Sequence, residues 1–332
     1  MRIGIAGVGR MGAFHAGTLG RLPGVDSVVV ADADRARASD IAGRLRLEAV
    51  ESPESLLRSG IDALVIATST GSHAEFIVRA AAAGLPVFCE KPVAPDIEGT
   101  LAVITQLGEA AAVQIGFQRR FDAGYRTARE AVRSGALGWV HTLRATTLDP
   151  APPPRAYLAG SGGLYRDCGV HDFDAIRWVT GRDVVEVYAV GRNRGADFFR
   201  AAGDVDTMAA LLTLDDDSLA LVSGTRYNAA GYDVRLEVLG SQDSICAGLD
   251  GRLPLRSAEP GAAFPSGPPY PMFIDRFAGA YQAELAAFVS LAGDGGPSPC
   301  TVRDALEASY VAEACETSRA RHRPVPLAEV RR

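Results

Sequence analysis

The chain has 332 residues, enough for about two domains of ordinary size. Hydrophobic residues make up 47% and charged residues 22%, which supplies a core and excludes a disordered chain. The net charge is −6 and the arginines are scattered, which argues against a nucleic-acid partner. Five cysteines, odd in number and never spaced CxxC, point to a reducing compartment and away from a structural zinc site. No apolar run approaches the ~18 residues that a bilayer requires. Gly4, Gly7 and Gly9 interrupt the N-terminal apolar stretch, as they would not in a secretory signal. The expectation is a cytoplasmic protein with no membrane partner.

Short, continuously apolar runs at Ile3 to Ala6, Val28 to Ala31, Ala63 to Ala67, Pro86 to Cys89 and Ala112 to Ile115 read as buried strands. Helical patterns separate them: Met11 to Leu19, Asp34 to Leu45, His73 to Ala83 and Ile97 to Leu107. Such alternation predicts α/β organisation, a doubly wound parallel sheet of the Rossmann type over residues 1–118. The rhythm then changes. Phe121 to Val132 reads as a helix and Val140 to Leu148 as a strand. Pro150 to Pro154 and Gly160 to Gly163 bracket a loop. Val184 to Val190, Thr207 to Leu214, Leu219 to Thr225 and Asp233 to Leu239 are strands with no helical pattern between them. They predict a large, mostly antiparallel open sheet in an α+β domain over residues 119–332. Glu259 to Pro271 is a long Gly/Pro-rich loop, and helices near Arg276 to Leu291 and Arg303 to Arg319 close the chain.

Gly7-Val8-Gly9-Arg10-Met11-Gly12 follows the first strand and opens the first helix, the context a dinucleotide fingerprint requires. Gly7 permits the turn, Gly9 lets backbone approach a pyrophosphate, and Gly12 lets helix meet strand. The phosphates would lie on the helix N-terminus. Asp32 ends the second strand, where it can bind ribose hydroxyls and repel a 2′-phosphate, favouring NAD over NADP. Arg35 and Arg37 stand close by. Thr68, Ser69 and His73 follow the third main strand, and Glu90 and Lys91 follow the fourth, on the edge where α/β sheets bind ligands. His73 reads equally as a cofactor contact or as a histidine with a local role at its helix start.

Lys91, directly after a buried strand and before Pro92, is a candidate catalytic cation. Asp167 and His171 are four residues apart on a helix read from Cys168 to Thr180, so they share a face, with Asp167 near the N-cap. A helix N-terminus disfavours imidazolium, leaving His171 able to accept a proton. The same spacing also suits a plain cap and a buried ring. Asp172 and Asp174 read as ordinary helix-face carboxylates.

GVGRMG, the Glu90-Lys91-Pro92 triplet, GFQRRFD at Gly116 to Asp122, GGLYRDCGVHDFDAIRWVTG at Gly162 to Gly181 and GYDVRLEVLG at Gly231 to Gly240 together resemble the Gfo/Idh/MocA oxidoreductase family, nearly end to end. Its NAD-dependent inositol 2-dehydrogenase branch is the most similar. The resemblance implies oxidation of a cyclic polyol or sugar to a ketone. Lys91 would polarise the reacting hydroxyl, His171 would take its proton, and Asp167 would hold substrate and support the histidine. Arg119, Asp149 and Tyr232 fall on substrate-pocket positions, although Asp149 stands where inositol dehydrogenases carry asparagine. A homotetramer or homodimer is also implied. Two other readings use the same scaffold: an NAD-dependent glycosidase, and a non-catalytic cofactor sensor, against which intact Lys91, Asp167 and His171 argue.

Overall fold

The computed structural model describes residues 1–108 and 111–331. The chain forms two units: Met1–Gln118 with Tyr281–Leu306, and Arg119–Ala280 with Glu307–Arg332.

In the first unit the order is β1 (Arg2–Ala6), α1 (Arg10–Leu19), β2 (Ser27–Ala31), α2 (Arg35–Leu45), β3 (Glu48–Ala49), α3 (Pro53–Leu56), β4 (Ala63–Ile66), α4 (His73–Ala82), β5 (Val87–Glu90), α5 (Ile97–Gln106) and β6 (Val113–Gly116). The strands form one parallel sheet in the order β3-β2-β1-β4-β5-β6. The order reverses beside β1, and the carboxyl edge there is the ligand crevice of such sheets. β1 and β4 are buried on both faces because parallel strands are covered by helices on each side, which is why they read as unbroken apolar runs. Helix starts follow local chemistry. The Asp34 side chain accepts hydrogen bonds from the Ala36 and Arg37 amides, and Asp96 accepts one from Gly99. Ile3, Ile5, Val28, Val30, Val65 and Phe88 pack with Leu19, Ile41, Leu285, Phe288 and Leu291 in one core. Each large side chain so buried contributes roughly 1.5–3 kcal/mol.

The second unit contains α6 (Ala123–Arg133), β7 (Val140–Leu148), α7 (Arg155–Ser161), α8 (Val170–Thr180), β8 (Val184–Arg192), α9 (Phe198–Ala201), β9 (Thr207–Leu214), β10 (Leu219–Thr225), β11 (Asp233–Gly240), β12 (Ser244–Ala247), α10 (Phe273–Arg276) and β13 (Val325–Pro326). Two long helices, α11 (Ala278–Asp294) and α12 (Val302–Arg321), each contribute residues to both units. The sheet order is β12-β11-β7-β10-β9-β8-β13, antiparallel throughout except for the pair β7 and β10. Along β8, β9 and β10 burial alternates with period two. One face is packed, and the other leaves Val185, Tyr188, Val190, Leu211, Leu219 and Leu221 exposed. The 259–271 segment is irregular, as its glycines and prolines dictate. Among the described residues no helix is long and apolar enough to cross a membrane, and no cluster of three or more His, Cys, Asp or Glu is placed to hold a metal.

Candidate active site

The first unit builds a nucleotide cradle from main chain. Gly7 has φ +86°, and a Cβ there would stand 2.6 Å from the Ala67 carbonyl oxygen. A Cβ at Gly12 would lie 1.8 Å from the Gly7 carbonyl oxygen, so only glycine lets α1 leave β1 at this angle. A Cβ at Gly9 would meet nothing within 4 Å, so the turn presents bare backbone to open space. Helix α1 starts at Arg10 with Met11 beside it, no side-chain cap and no acidic residue in its first turn. These features suit a dinucleotide pyrophosphate, whose charge would meet the amides and the positive end of the helix dipole.

Asp32 lies one residue beyond β2 and is buried. One carboxylate oxygen accepts from the Val8 amide at 2.8 Å and the other from the Asp34 amide at 2.9 Å, which fixes the side chain against the glycine turn. Arg37 approaches Asp32 at 3.3 Å, and Arg35 pairs instead with Glu51. Thr68 and Ser69 follow β4, with the Thr68 hydroxyl 2.7 Å from that of Ser72. His73 is 1% exposed. Its Nδ1 lies 2.7 Å from the Pro92 carbonyl oxygen and its Nε2 3.1 Å from that of Thr68. A neutral ring can donate to only one of these two carbonyl oxygens, so His73 is a strut wedged between two strand ends, a local role in place of the expected cofactor contact.

Glu90 ends β5 and its carboxylate lies 2.6 Å from His15 Nε2 on α1. The His15 ring is fully buried beside Phe14, Phe88 and Tyr281, and its Nδ1 has no hydrogen-bond partner among the described residues. The arrangement with no buried donor left unsatisfied puts the ring's single N–H on Nε2, donating to Glu90. Lys91 comes next, half-buried. His73 thus ties the Thr68 and Lys91-Pro92 strand ends together, and His15 ties the phosphate helix to Glu90.

The second unit builds a cluster from side chains. Arg119 is 2% exposed. Its guanidinium pairs with Asp172 and donates to the Thr147 hydroxyl at 2.9 Å, while Thr147 donates to Asp172 at 2.8 Å. Burial pushes the Asp172 carboxyl up, and Arg119 and Thr147 pull it back. Arg120 grips Asp174 through two bonds of 2.9 and 2.6 Å. Asp172 and Asp174 are therefore buried ion-pair partners, not helix-face carboxylates. Their helix packs its acidic positions inward because two buried arginines await them. Arg119 is committed to that pair, so its expected place on the substrate becomes a supporting one.

Asp149 lies one residue beyond β7, and Arg226 one residue beyond β10. The parallel register pairs Leu148 with Thr225, which sets these two side by side. Arg226 donates to Asp149 at 2.8 Å and to Asp167 at 2.6 Å, and its Nη1 lies 2.8 Å from Cys168 Sγ. Burial alone would lower the pKa of this guanidinium, but Cys168, Asp167 and Asp149 outweigh it and hold its proton more tightly than in free arginine. The Tyr157 hydroxyl donates to the second Asp167 oxygen at 2.9 Å. Tyr232 packs against Phe273 and Phe277. Burial keeps its hydroxyl well above the usual range for a phenol; Arg119 opposes this, and Asp149, Cys168 and Asp172 add to it. Asp149, Asp167, Tyr232 and Arg119 are thus neighbours.

Asp167 does not cap the helix. It sits in a π-helical turn, Tyr165–Gly169, that precedes α8, and His171 lies in the first turn of α8. Glycine at 169 allows the turn to press on the sheet, since a Cβ there would stand 3.1 Å from Met208. Arg226, Tyr157, His15 and Thr147 escaped the reading of the sequence. Arg226 had a signal, because it directly follows a strand, as Lys91 does. A cavity of about 440 Å³ elsewhere in this unit, lined by Arg155, Arg166, Asp204 and Arg319 among others, contains none of the candidate residues.

Comparison with known proteins gives a consistent picture. Residues 1–117 match the GFO/IDH/MocA model described as an oxidoreductase family with an NAD-binding Rossmann fold, and residues 125–246 match the GFO/IDH/MocA C-terminal domain. A myo-inositol dehydrogenase of Streptomyces leeuwenhoekii is 38% identical over 96% of this chain and 97% of its own. The myo-inositol 2-dehydrogenase of Thermotoga maritima is 33% identical over 99% of both. A crystal structure of scyllo-inositol dehydrogenase from Lactobacillus casei, with NAD(H) and scyllo-inositol bound, superposes with a TM-score of 0.87 at 31% identity, covering 99% of each chain.

Proposed function

The chain belongs to the GFO/IDH/MocA oxidoreductase family, and from that premise we propose that it is an NAD-dependent dehydrogenase that oxidises a secondary alcohol of an inositol-like polyol to the ketone. The observation that carries this reading is the carboxyl edge of the first sheet. There the glycine turn follows β1 and Lys91 follows β5, and the His73 strut ties the strand end between them to Pro92.

Gly7, Gly9, Arg10, Met11 and Gly12 would hold the NAD pyrophosphate, Asp32 the adenosine ribose, and Thr68, Ser69, Glu90 and Lys91 the remainder toward the nicotinamide. NAD⁺ supplies the hydride acceptor. Lys91 donates a hydrogen bond to the reacting hydroxyl and favours its alkoxide character. His171 takes the hydroxyl proton as general base. Asp167 orients the polyol and supports the imidazole once it is charged. Asp149 and Tyr232 pair with further hydroxyls, which gives discrimination among isomers because an unmatched buried polar group is costly.

The open face of the second sheet, with Tyr188, Leu211 and Leu221 exposed, supports a homotetramer in which a second copy covers it. Cys89, Cys168, Cys246, Cys300 and Cys315 are in no disulfide, which supports a cytoplasmic setting.

The test is a panel of myo-, scyllo- and chiro-inositol, glucose and related sugars, each with NAD⁺ and NADP⁺, followed by the absorbance of reduced cofactor. Reduced NAD should accumulate with an inositol. Cleavage of a glycoside without net NADH would instead assign elimination chemistry, and nucleotide binding with no turnover would assign a sensor.

A further inference from the structure

We propose that Arg226 is a positioning residue for this reaction: its guanidinium holds the Asp167 carboxylate in place and balances it against Asp149. The inference rests on the dehydrogenase reading and deepens it. Arg226 reaches the turn that carries Asp167 through this carboxylate and the Cys168 sulfur.

The geometry is specific. Asp149 and Arg226 stand one residue past the paired ends of two parallel strands, so the backbone brings them together without any loop rearrangement. The two terminal nitrogens of one planar fork then point at two different carboxylates, at 2.8 and 2.6 Å. Nε of Arg226 is buried with no hydrogen-bond partner among the described residues, so the fork is held by these acceptors and the Cys168 sulfur. A guanidinium does not lose its proton, which makes this a permanent cation and a rigid one.

The charge count gives the fork its consequence. Asp149, Asp167 and Arg226 together carry one net negative charge when both carboxylates are ionised. The partners described above add no further net charge, and Lys91, the cation of the proposed chemistry, is the same in every variant below. Tyr157 donates from α7 as a neutral hydroxyl, Tyr232 is kept neutral by burial, and Arg119 and Asp172 neutralise each other. Cys168 lies on the same turn as Asp167, and His171 follows four residues later. A surplus negative charge here favours protonated His171, the form produced when it takes the hydroxyl proton, and Arg226 limits how far. Too little restraint would leave the base already protonated at working pH.

Two substitutions move that balance in opposite directions. Arg226→Gln removes the cation, so the acid limb of the kcat/KM–pH profile should move up by roughly one unit. kcat should fall on the order of a hundredfold, with the KM for NAD⁺ unchanged. Arg226→Lys should restore part of the limb position but less of the rate, since a point charge cannot serve both carboxylates as a fork does. Asp149→Asn removes one anion, and the same limb should move down by roughly half a unit. A residue that only stabilises the fold would lower the melting temperature in each variant and leave the limb where it was. An unmoved limb in Asp149→Asn overturns the inference, as do shifts of the same sign in Arg226→Gln and Asp149→Asn, or a limb in Arg226→Lys displaced as far as in Arg226→Gln. If Arg226→Gln does not fold, Asp149→Asn and Arg226→Lys carry the test. A wild-type enzyme that oxidises no polyol would instead sink the dehydrogenase reading, and the two failures are told apart by that control.

Discussion

The glycine turn of the first unit and the arginine-centred cluster of the second prepare for charge by opposite means. At Gly7 to Gly12 the protein thins out side chains, and beside Arg10 the positive potential comes from amides and a helix end that bear no net charge. Around Arg119, Arg120 and Arg226 it buries full charges in side-chain pairs, each exact partner supplied from far along the chain. The first device tolerates nothing added. The second tolerates nothing removed, because a buried ion whose partner is deleted keeps its desolvation cost and loses its compensation. Steric intolerance on one side and electrostatic intolerance on the other are what substitutions should separate.

The largest effect should come from adding one methyl group. In Gly12→Ala the new Cβ has no room beside the Gly7 carbonyl, so either α1 or the turn must move. Nucleotide binding, read by quenching of protein fluorescence or by calorimetry, should be lost. A variant that still binds NAD with wild-type affinity would show that the turn is not the cradle. Next in size, Lys91→Ala and His171→Ala should each lower kcat by roughly 10²- to 10⁴-fold with nucleotide affinity retained, the range for a positioned proton-transfer group. Near-normal turnover in either variant would remove that residue from the proposed chemistry.

The same contrast explains what could be read from the chain. The parallel sheet was legible because buried strands are unbroken apolar runs, and the glycine turn because its spacing is local. Val140–Leu148, Thr207–Leu214 and Leu219–Thr225 were legible to the residue, since long half-buried strands alternate cleanly. Glu48–Ala49 and Ser244–Ala247 were not, being too short to carry a period. Nor were the ion pairs. Arg119 and Asp172 are 53 residues apart, Arg120 and Asp174 are 54, and Arg226 and Asp167 are 59. No local pattern marks an aspartate as buried when its counter-ion comes from another element, which is why Asp172 and Asp174 looked like surface residues. The π-turn was hidden for a related reason: Gly169 within it packs close to Met208, a neighbour from another element that no local pattern announces.

Asp172→Ala sharpens the electrostatic side. It leaves Arg119 buried with only Thr147, and such orphaned charges cost roughly 3–5 kcal/mol. The thermal midpoint should fall by ~10 °C, whereas Asp40→Ala, which breaks an exposed pair with Arg44, should change it little. Equal effects from the two would mean that burial does not set the cost. Asp32→Ala tests the mixed case, a side chain serving the main-chain cradle. Losing a charged hydrogen-bond acceptor costs roughly 1.5–3 kcal/mol. The KM for NAD⁺ should rise about tenfold or somewhat more, with NADP⁺ affected less because Arg37 no longer faces a carboxylate there. An unchanged NAD⁺/NADP⁺ ratio would show that another group reads the ribose.

The smallest effect belongs to Tyr232, where the two devices meet: a polar tip inside an aromatic wall. Burial raises its hydroxyl well above the value of 10.0 for a free tyrosine, and the nearby Asp149 and Asp172 raise it further against the pull of Arg119. A folded-state pKa raised in this way means that the neutral phenol contributes its full stability below the unfolded pKa and loses it only as pH climbs through the higher, folded value. Across any pH at which the enzyme is assayed, Tyr232 is therefore a neutral hydrogen-bonding group and contributes no titration. Tyr232→Phe should raise the polyol KM a fewfold, about the worth of one neutral hydrogen bond, and leave both limbs of the pH profile in place. A shifted alkaline limb in this variant would mean that the phenol ionises during turnover, and that the wall around it is wetter than its packing against Phe273 and Phe277 implies.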